Sequence, residues 1–132
     1  MTDKKYKILI VDDETPLLLA LTKKFEQLDY TVITGKNGEE GLALSLEHHP
    51  DIILADIKMP KMDGIEFATK LREDDWGKNA RIIMLTNLDE YTNVQDAVKL
   101  NIKTYLVKAD NTMADVVGLV ESELGLKAGD QV

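Results

Sequence analysis

The sequence predicts an α/β protein built on a single doubly wound parallel sheet with helices on both faces. Apolar runs of strand length alternate along the chain with segments whose apolar residues recur at helical spacing. Alternation of this kind is typical of parallel strands joined by crossover helices. With 132 residues and no cysteine, the chain has the length of one domain that buries its core without disulfides.

Five apolar runs are predicted to be strands. They are KILIV at 7–11, YTVIT at 30–34, DIILA at 51–55, RIIML at 81–85 and TYLV at 104–107. The first, third and fourth runs are almost continuously apolar, as strands buried on both faces usually are. The second run mixes threonine with its apolar residues, which favours a position at an edge of the sheet.

Helices are predicted between the strands and after the last one, because apolar residues recur three, four or seven positions apart. The clearer segments carry these positions: Leu17, Leu18, Leu21, Phe25 and Leu28; Ile65, Ala68 and Leu71; Tyr91, Val94 and Val98; Met113, Val116, Val117, Val120 and Leu124. A further helix at 38–48 is predicted from Leu42, Ala43 and Leu46 alone.

Capping signals agree with this layout. Pro16 fits the first turn of the first helix, where its missing N–H has no intrahelical partner to lose. Asp63 followed by Glu66, and Thr112 followed by Asp115, have the spacing of capping boxes. The local signals therefore indicate the same helix starts as the apolar periodicity.

Composition excludes several classes of protein. The formal net charge of −8 argues against direct binding of nucleic acid, which needs a basic face. No apolar run approaches the ~18 residues of a membrane span, and no signal peptide is recognisable. We therefore expect a cytoplasmic protein with no membrane partner, organised as one domain over residues 1–125 with a flexible C-terminal tail at 126–132.

Polar side chains follow four of the predicted strands at the point where each ends. Asp12 and Asp13 follow the first strand, Asp56 the third, Thr86 the fourth and Lys108 the fifth. The carboxyl ends of parallel strands share one edge of a sheet, and ligands bind beyond that edge. We therefore expect these side chains to converge.

The converging groups have complementary chemistry. The run Asp12, Asp13 and Glu14 brings together carboxylates that repel one another, so a cation is expected beside it. Carboxylate oxygens suit Mg²⁺. An aspartate can also attack phosphorus while a metal, a lysine and a threonine hold the oxygens of the transferred group. Asp56, which is single and central, fits the nucleophile.

Over residues 5 to about 125 the chain resembles the receiver domains of two-component response regulators, including chemotaxis regulators. The resemblance lies in the acid pair, the aspartate of ADIKMPKMDG, the threonine after the fourth strand and the lysine after the fifth. It implies a flavodoxin-like sheet of strand order 2-1-3-4-5 and a switch operated by phosphorylation.

The same resemblance implies roles for the acidic residues. Asp56 would be the phosphoacceptor. Mg²⁺ would be bound by Asp12, Asp13 and Asp56 together with the main-chain carbonyl of Lys58. The chain would catalyse only its own phosphorylation and dephosphorylation and would not be an enzyme acting on other substrates.

Other implied roles concern the phosphoryl group and the response to it. Thr86 and Lys108 would bind phosphoryl oxygens, and Thr86 with Tyr105 would form the switch. The helix at about 89–100, the fifth strand and the helix at about 112–124 would form the face that changes, binds partners or forms a homodimer. The donor would be a histidine kinase or a histidine phosphotransfer protein. The output protein, and whether the receiver stands alone or comes from a longer regulator, stay open.

Two residues depart from the family pattern. Ala109 stands where the family usually has a proline joined to the lysine by a cis bond, and Asn87 stands where a small residue usually follows the threonine. We expect the Lys108–Ala109 bond to remain cis so that the lysine still reaches the site.

Three other functions are compatible with a fold of this class. A flavin or nucleotide binder of this topology needs a loop of main-chain N–H groups for phosphate after the first strand, and DDETP presents negative charge there. A phosphohydrolase with an aspartyl-phosphate intermediate would resemble D-x-D, which is absent at Asp12 and at Asp56. A receiver-like interaction module that signals without phosphorylation is the alternative; the intact set of acids argues against it, whereas Asn87 and Ala109 favour it.

Overall fold

A parallel five-stranded sheet forms the centre of the computed structural model, which describes residues 5–86, 98–102, 104–108 and 111–126. The strand order is β2-β1-β3-β4-β5, and each neighbouring pair is parallel. The strands are β1 (Lys7–Val11), β2 (Thr31–Gly35), β3 (Ile52–Asp56), β4 (Ile82–Thr86) and β5 (Thr104–Val107). The predicted strand order and the edge position of β2 are both confirmed.

Helices follow the strands as predicted wherever the chain is described. They are α1 (Thr15–Gln27), α2 (Gly38–His48), α3 (Gly64–Arg72) and α4 (Met113–Glu123), with a 3₁₀ helix at Gly77–Asn79. None of these described helices is long and apolar enough to cross a membrane.

Some predictions fall on parts of the chain that the structure does not describe. Residues 87–97 carry most of the helix predicted at about 89–100, together with Asn87. Ala109, and with it the predicted cis bond, also lies outside the described residues, as does 127–132 of the predicted tail. These predictions stay predictions.

The sheet has a core on each face. Along β1, Ile8 and Ile10 point into one cluster with the buried residues of α1 and α4, while Leu9 and Val11 point into the other with those of α3. Successive strand residues face opposite sides, so an almost continuously apolar strand supplies both cores. The doubly wound arrangement with helices on both faces is confirmed.

The buried face of α2 differs from the predicted one. The helix forms, but Ala43 is exposed and Leu46 is 40% exposed, while Gly41 and Ser45 are buried. A Cβ at position 41 would lie 2.9 Å from a methyl carbon of Val11, so only glycine lets the helix backbone come this close to β1. Leu42 packs against the core as predicted, and close backbone packing at Gly41 takes the place of an apolar contact at the predicted Ala43 and Leu46.

The predicted starts of three helices are confirmed. Pro16 lies in the first turn of α1. Asp63 caps α3 by accepting a hydrogen bond from the N–H of Glu66 at 2.8 Å. At α4, Thr112 and Asp115 form a reciprocal capping box. Each cap orients a helix that begins at the carboxyl edge of the sheet.

An aromatic pair lies at the amino ends of the strands, opposite the carboxyl edge. His49, the residue after α2, stacks on the half-buried Trp76, with ring centroids 4.4 Å apart and an interplanar angle of 6°. His49 precedes β3 and Trp76 precedes β4, so the stack joins two connections at the amino ends of the strands.

Candidate phosphoacceptor site at the carboxyl edge of the sheet

Three strands run one residue further than the apolar pattern predicts, and this places two site residues inside the sheet. Asp56 is the last residue of β3 and pairs with Leu85, and Thr86 is the last residue of β4 and pairs with Val107. Main-chain pairing continues past the last apolar side chain because it involves only backbone groups. The backbone of both residues is therefore positioned by the sheet.

Three carboxylates meet at this edge as predicted. Asp12, Asp13 and Asp56 each offer an oxygen, and these oxygens lie within 4.8 Å of one another. Asp12 and Asp56 are buried, whereas Asp13 is exposed. The N–H of Asp12 donates to the carbonyl of Gly35 at 3.0 Å, which ties the acidic loop to the end of β2.

Lys108 reaches into the carboxylate cluster. Its Nζ lies 3.1 Å from Oδ2 of Asp12 and 3.1 Å from Oδ2 of Asp56. It also lies 2.9 Å from Oε1 of Glu14, and this contact has hydrogen-bond geometry. The lysine side chain is only 11% exposed, so the acids are paired with a cation that water reaches poorly.

Burial dominates the electrostatics of the two inner carboxyl groups. Desolvation raises the pKa of Asp56 to about 7, against the attraction of Lys108 and with the repulsion of Asp12. Desolvation also raises the pKa of Asp12, although the Glu14 N–H donates to its Oδ1 at 2.9 Å and Lys108 opposes the shift. One lysine therefore does not fully compensate two buried acids.

Lys108 itself remains charged. Burial works to lower its pKa, but the hydrogen bond to Glu14 and the charges of Asp56 and Asp12 outweigh burial and raise the pKa above its usual value. The lysine is thus a permanent positive charge beside the candidate nucleophile.

The oxygen atoms at this site fit a hard divalent cation. Within the described residues, Oδ1 of Asp56 is buried and accepts no hydrogen bond, and Oδ2 of Asp12 is buried with the Lys108 ion pair at 3.1 Å. A buried oxygen without a partner is costly, and Mg²⁺ prefers oxygen ligands of this kind. Lys58 lies two residues after Asp56 in the connection to α3, and the role of its carbonyl as a ligand stays a prediction.

A glycine fixes the connection that follows Asp56. A Cβ at Gly64 would lie 2.3 Å from the carbonyl oxygen of Asp56, which no side chain permits. The N–H of Gly64 donates to the carbonyl of Ile57 at 2.7 Å, and the N–H of Ile57 donates to Leu85 at 3.0 Å. The first residue of α3 therefore packs directly on the strand end that carries the candidate nucleophile.

Thr86 and Tyr105 occupy different environments near this edge. Thr86 is buried at the end of β4, beside the strand that leads to Lys108. Tyr105 pairs with Met84 and is 46% exposed, so the ring is in an outward position. The structure thus brings Asp12, Asp13, Asp56 and Lys108 together, places Thr86 on the adjacent strand end and leaves Tyr105 at the surface.

Glu14 is the residue that sequence reasoning did not assign to the site. It was recognised only as part of an acidic run, because its contact with Lys108 joins positions 94 residues apart. The sequence did carry one signal: the run at positions 12–14 holds three acids, whereas the metal site takes only two of them.

The model of the family described as "Response regulator receiver domain" matches residues 8–117. The transcriptional regulatory protein SrrA of Staphylococcus aureus is 39% identical over 102 residues, which are 77% of this chain and 41% of SrrA. "Probable transcriptional regulator ycf27" of Porphyra purpurea is 35% identical over 108 residues, which are 82% of this chain and 43% of that protein. The chain therefore spans less than half the length of these curated relatives.

A solved structure agrees with the sequence relatives. The crystal structure of the CheX-CheY-BeF3-Mg²⁺ complex from Borrelia burgdorferi includes a chain that is 36% identical and superimposes with a TM-score of 0.80, covering 92% of this chain and 90% of that one. Sequence and fold comparisons thus agree with each other, and the chain belongs to the family of response regulator receiver domains.

Proposed function

We propose that this receiver is switched by transfer of a phosphoryl group to Asp56. The observation that carries the proposal is the surroundings of that one side chain. Asp56 is buried in the centre of the sheet edge, with Lys108 Nζ at 3.1 Å from Oδ2 and with Oδ1 accepting no hydrogen bond from the described residues. One carboxylate oxygen is held by Lys108, and the other has no hydrogen-bond partner among the described residues.

The reaction that this geometry supports is attack of an Asp56 oxygen on phosphorus. With a phosphohistidine donor, the P–O bond to Asp56 forms as the P–N bond breaks, and the imidazole that leaves takes its proton from solvent. Mg²⁺ bound by Asp12, Asp13 and Asp56, with the carbonyl of Lys58, would neutralise charge on the transferred group. The chemistry is confined to the receiver's own aspartate.

Lys108 and Thr86 would hold the transferred group. The ammonium of Lys108 already lies beside Asp56, so a phosphoryl oxygen on that residue comes within reach of it. The hydroxyl of Thr86 would bind a second oxygen from the neighbouring strand end. Hydrolysis of the acyl phosphate by water would release inorganic phosphate and restore the carboxylate.

The proposed reaction indicates the phosphoryl donor, and the face formed by β5 and α4 indicates where an output partner would bind. The donor would be a histidine kinase or a histidine phosphotransfer protein. SrrA and ycf27 are named as transcriptional regulators, but the chain matches less than half of each, so a DNA-binding output is not carried over. We propose an output by protein contact at the face of β5, α4 and the helix predicted at about 89–100, which would also be the face of any homodimer.

Intact-mass measurement after incubation with acetyl phosphate and Mg²⁺ tests the proposal. One phosphoryl group should add about 80 Da, and hydroxylamine should remove it because the product is an acyl phosphate. The Asp56→Asn variant should gain no mass. Asp63→Asn is the matched control, because asparagine caps a helix as well as aspartate does. Full modification of Asp56→Asn would refute the assignment, and no uptake by the unmodified sequence would favour an interaction module independent of phosphorylation.

A further inference from the structure

We propose that Glu14 is a positioning residue that holds Lys108 in the unphosphorylated receiver and releases it when Asp56 carries a phosphoryl group. The inference rests on the proposed phosphorylation of Asp56 and adds to it the residue that restrains the lysine. It assigns a role to the third acid of the run, which neither the metal cluster nor the nucleophile uses.

The contact between Glu14 and Lys108 is the best formed of those at the ammonium group. Oε1 of Glu14 lies 2.9 Å from Nζ with hydrogen-bond geometry, whereas Asp12 and Asp56 lie at 3.1 Å as ion pairs. An ammonium group has three N–H donors and no acceptor. When Asp56 becomes an acyl phosphate it is no longer a charged partner, so Asp12 and Glu14 are the carboxylates that compete with the phosphoryl oxygens for Lys108.

Exposure decides which contact is released. The Asp12 side chain is fully buried, so removing its cation would leave an uncompensated charge away from water, which is costly. The Glu14 side chain is 54% exposed, so water can replace the ammonium at low cost. Glu14 is therefore the partner that Lys108 leaves.

The position of Glu14 in the fold also favours its release. It is the residue before α1, and its side chain makes no capping hydrogen bond. Its N–H donates to Oδ1 of Asp12, so its backbone stays fixed whatever the side chain contacts. A carboxylate at a helix N-terminus is stabilised by the helix dipole, so the freed side chain has a favourable place of its own.

The test measures how tightly each variant binds beryllofluoride, a phosphoryl mimic, in the presence of Mg²⁺. The Thr86 amide resonance is followed by NMR during the titration. Glu14→Gln should bind about two- to fivefold more tightly than the unmodified sequence, since a partly exposed ion pair that favours the unphosphorylated state is weakened. Glu26→Gln makes the same charge change on an exposed residue near the far end of α1 and should bind as the unmodified sequence does.

A second variant separates the contact from the charge. Glu14→Asp keeps the charge but shortens the side chain by one methylene, so it draws away from Lys108. If the contact restrains the lysine, Glu14→Asp should also bind the mimic more tightly. Equal affinity of Glu14→Asp and the unmodified sequence would attribute any gain in Glu14→Gln to charge alone and overturn the inference.

The failures of the two proposals are distinguishable. If the unmodified sequence neither binds the mimic nor gains mass from acetyl phosphate, the proposed function fails. If the unmodified sequence does both, and Glu14→Gln binds the mimic equally or more weakly, the role of Glu14 is wrong while the phosphorylation of Asp56 stands.

Discussion

The ammonium of Lys108 lies 3.1 Å from Oδ2 of Asp56, reaching from the end of β5 across β4 to the end of β3. This ion pair does not offset the burial of the carboxylate, whose pKa is raised to about 7. The protein therefore holds its candidate nucleophile in a place where the ionised form is destabilised unless a further cation is supplied.

The first prediction is that Asp56→Asn stabilises the metal-free protein, and more so at high pH. A carboxyl group whose pKa rises on folding favours the folded state below its unfolded pKa, and that contribution is lost as pH rises through the folded pKa. The loss thus runs from about pH 4 to about pH 7, and asparagine avoids it. Urea unfolding with a chelator present should show a gain that is about 2–3 kcal/mol larger at pH 8 than at pH 5. A gain independent of pH would contradict this account.

A second prediction is that Asp13→Asn weakens Mg²⁺ binding. Asp13 is the exposed member of the three-carboxylate cluster, and losing a metal ligand should cost at least the roughly tenfold in affinity seen for changes next to ligands. Added Mg²⁺ should accordingly raise the melting temperature of the variant less than that of the unmodified sequence. Asp29→Asn is the control, since Asp29 is exposed at the amino edge and its positive φ of 70° suits asparagine. Equal affinities for all three proteins would place the ion elsewhere.

A third prediction contrasts two glycines. Gly64→Ala should destabilise the protein by about 1–3 kcal/mol or more, because its Cβ would lie 2.3 Å from the Asp56 carbonyl. It should also slow phosphorylation by displacing the connection after β3. Gly118→Ala should instead stabilise the protein by about 0.5–1 kcal/mol, because Gly118 is inside α4 with nothing within 4 Å of an added Cβ. Denaturant unfolding of both variants measures these changes. Similar free energies of unfolding for the two variants would refute the proposed tight packing at Gly64.

The fourth prediction concerns the response to the phosphoryl group. Drawing Thr86 toward the new oxygens would shift the end of β4, and the ring of Tyr105, now in its outward position, would move toward the vacated space. NMR shift changes on adding a phosphoryl mimic should therefore concentrate at residues 86–108 and leave Trp76 at the amino edge unaffected. Changes confined to the loops that hold Asp13, Asp56 and Lys58, with Tyr105 unmoved, would show that this coupling is absent.

The strands and the convergence of the site could be predicted because both depend on simple regularities. Buried parallel strands need apolar side chains on both faces, and their carboxyl ends share an edge, so Asp12, Asp56 and Lys108 could be placed together before any coordinates were known. The strand order came from the family resemblance and not from periodicity. The one-residue difference at the ends of β3 and β4 arose because backbone pairing extends beyond the apolar residues.

Two features could not be predicted from the sequence, and each has a physical reason. The buried face of α2 depends on Gly41, which lets the helix backbone approach β1, and on Ser45, whose hydroxyl donates to the carbonyl of Gly41. Neither residue adds to the apolar periodicity from which a helix face is predicted. The contact of Glu14 with Lys108 depends on how far two long side chains reach across the top of the sheet. Spacing in sequence carries no information about that reach.

The stack of His49 on Trp76 makes the protein's own fluorescence a probe of one end of the molecule only. The chain has a single tryptophan, and it lies at the amino edge of the sheet, with the carboxylates and Lys108 at the other. Its emission should therefore report unfolding while staying insensitive to Mg²⁺. Optical detection of metal binding would need a reporter introduced at the carboxyl edge.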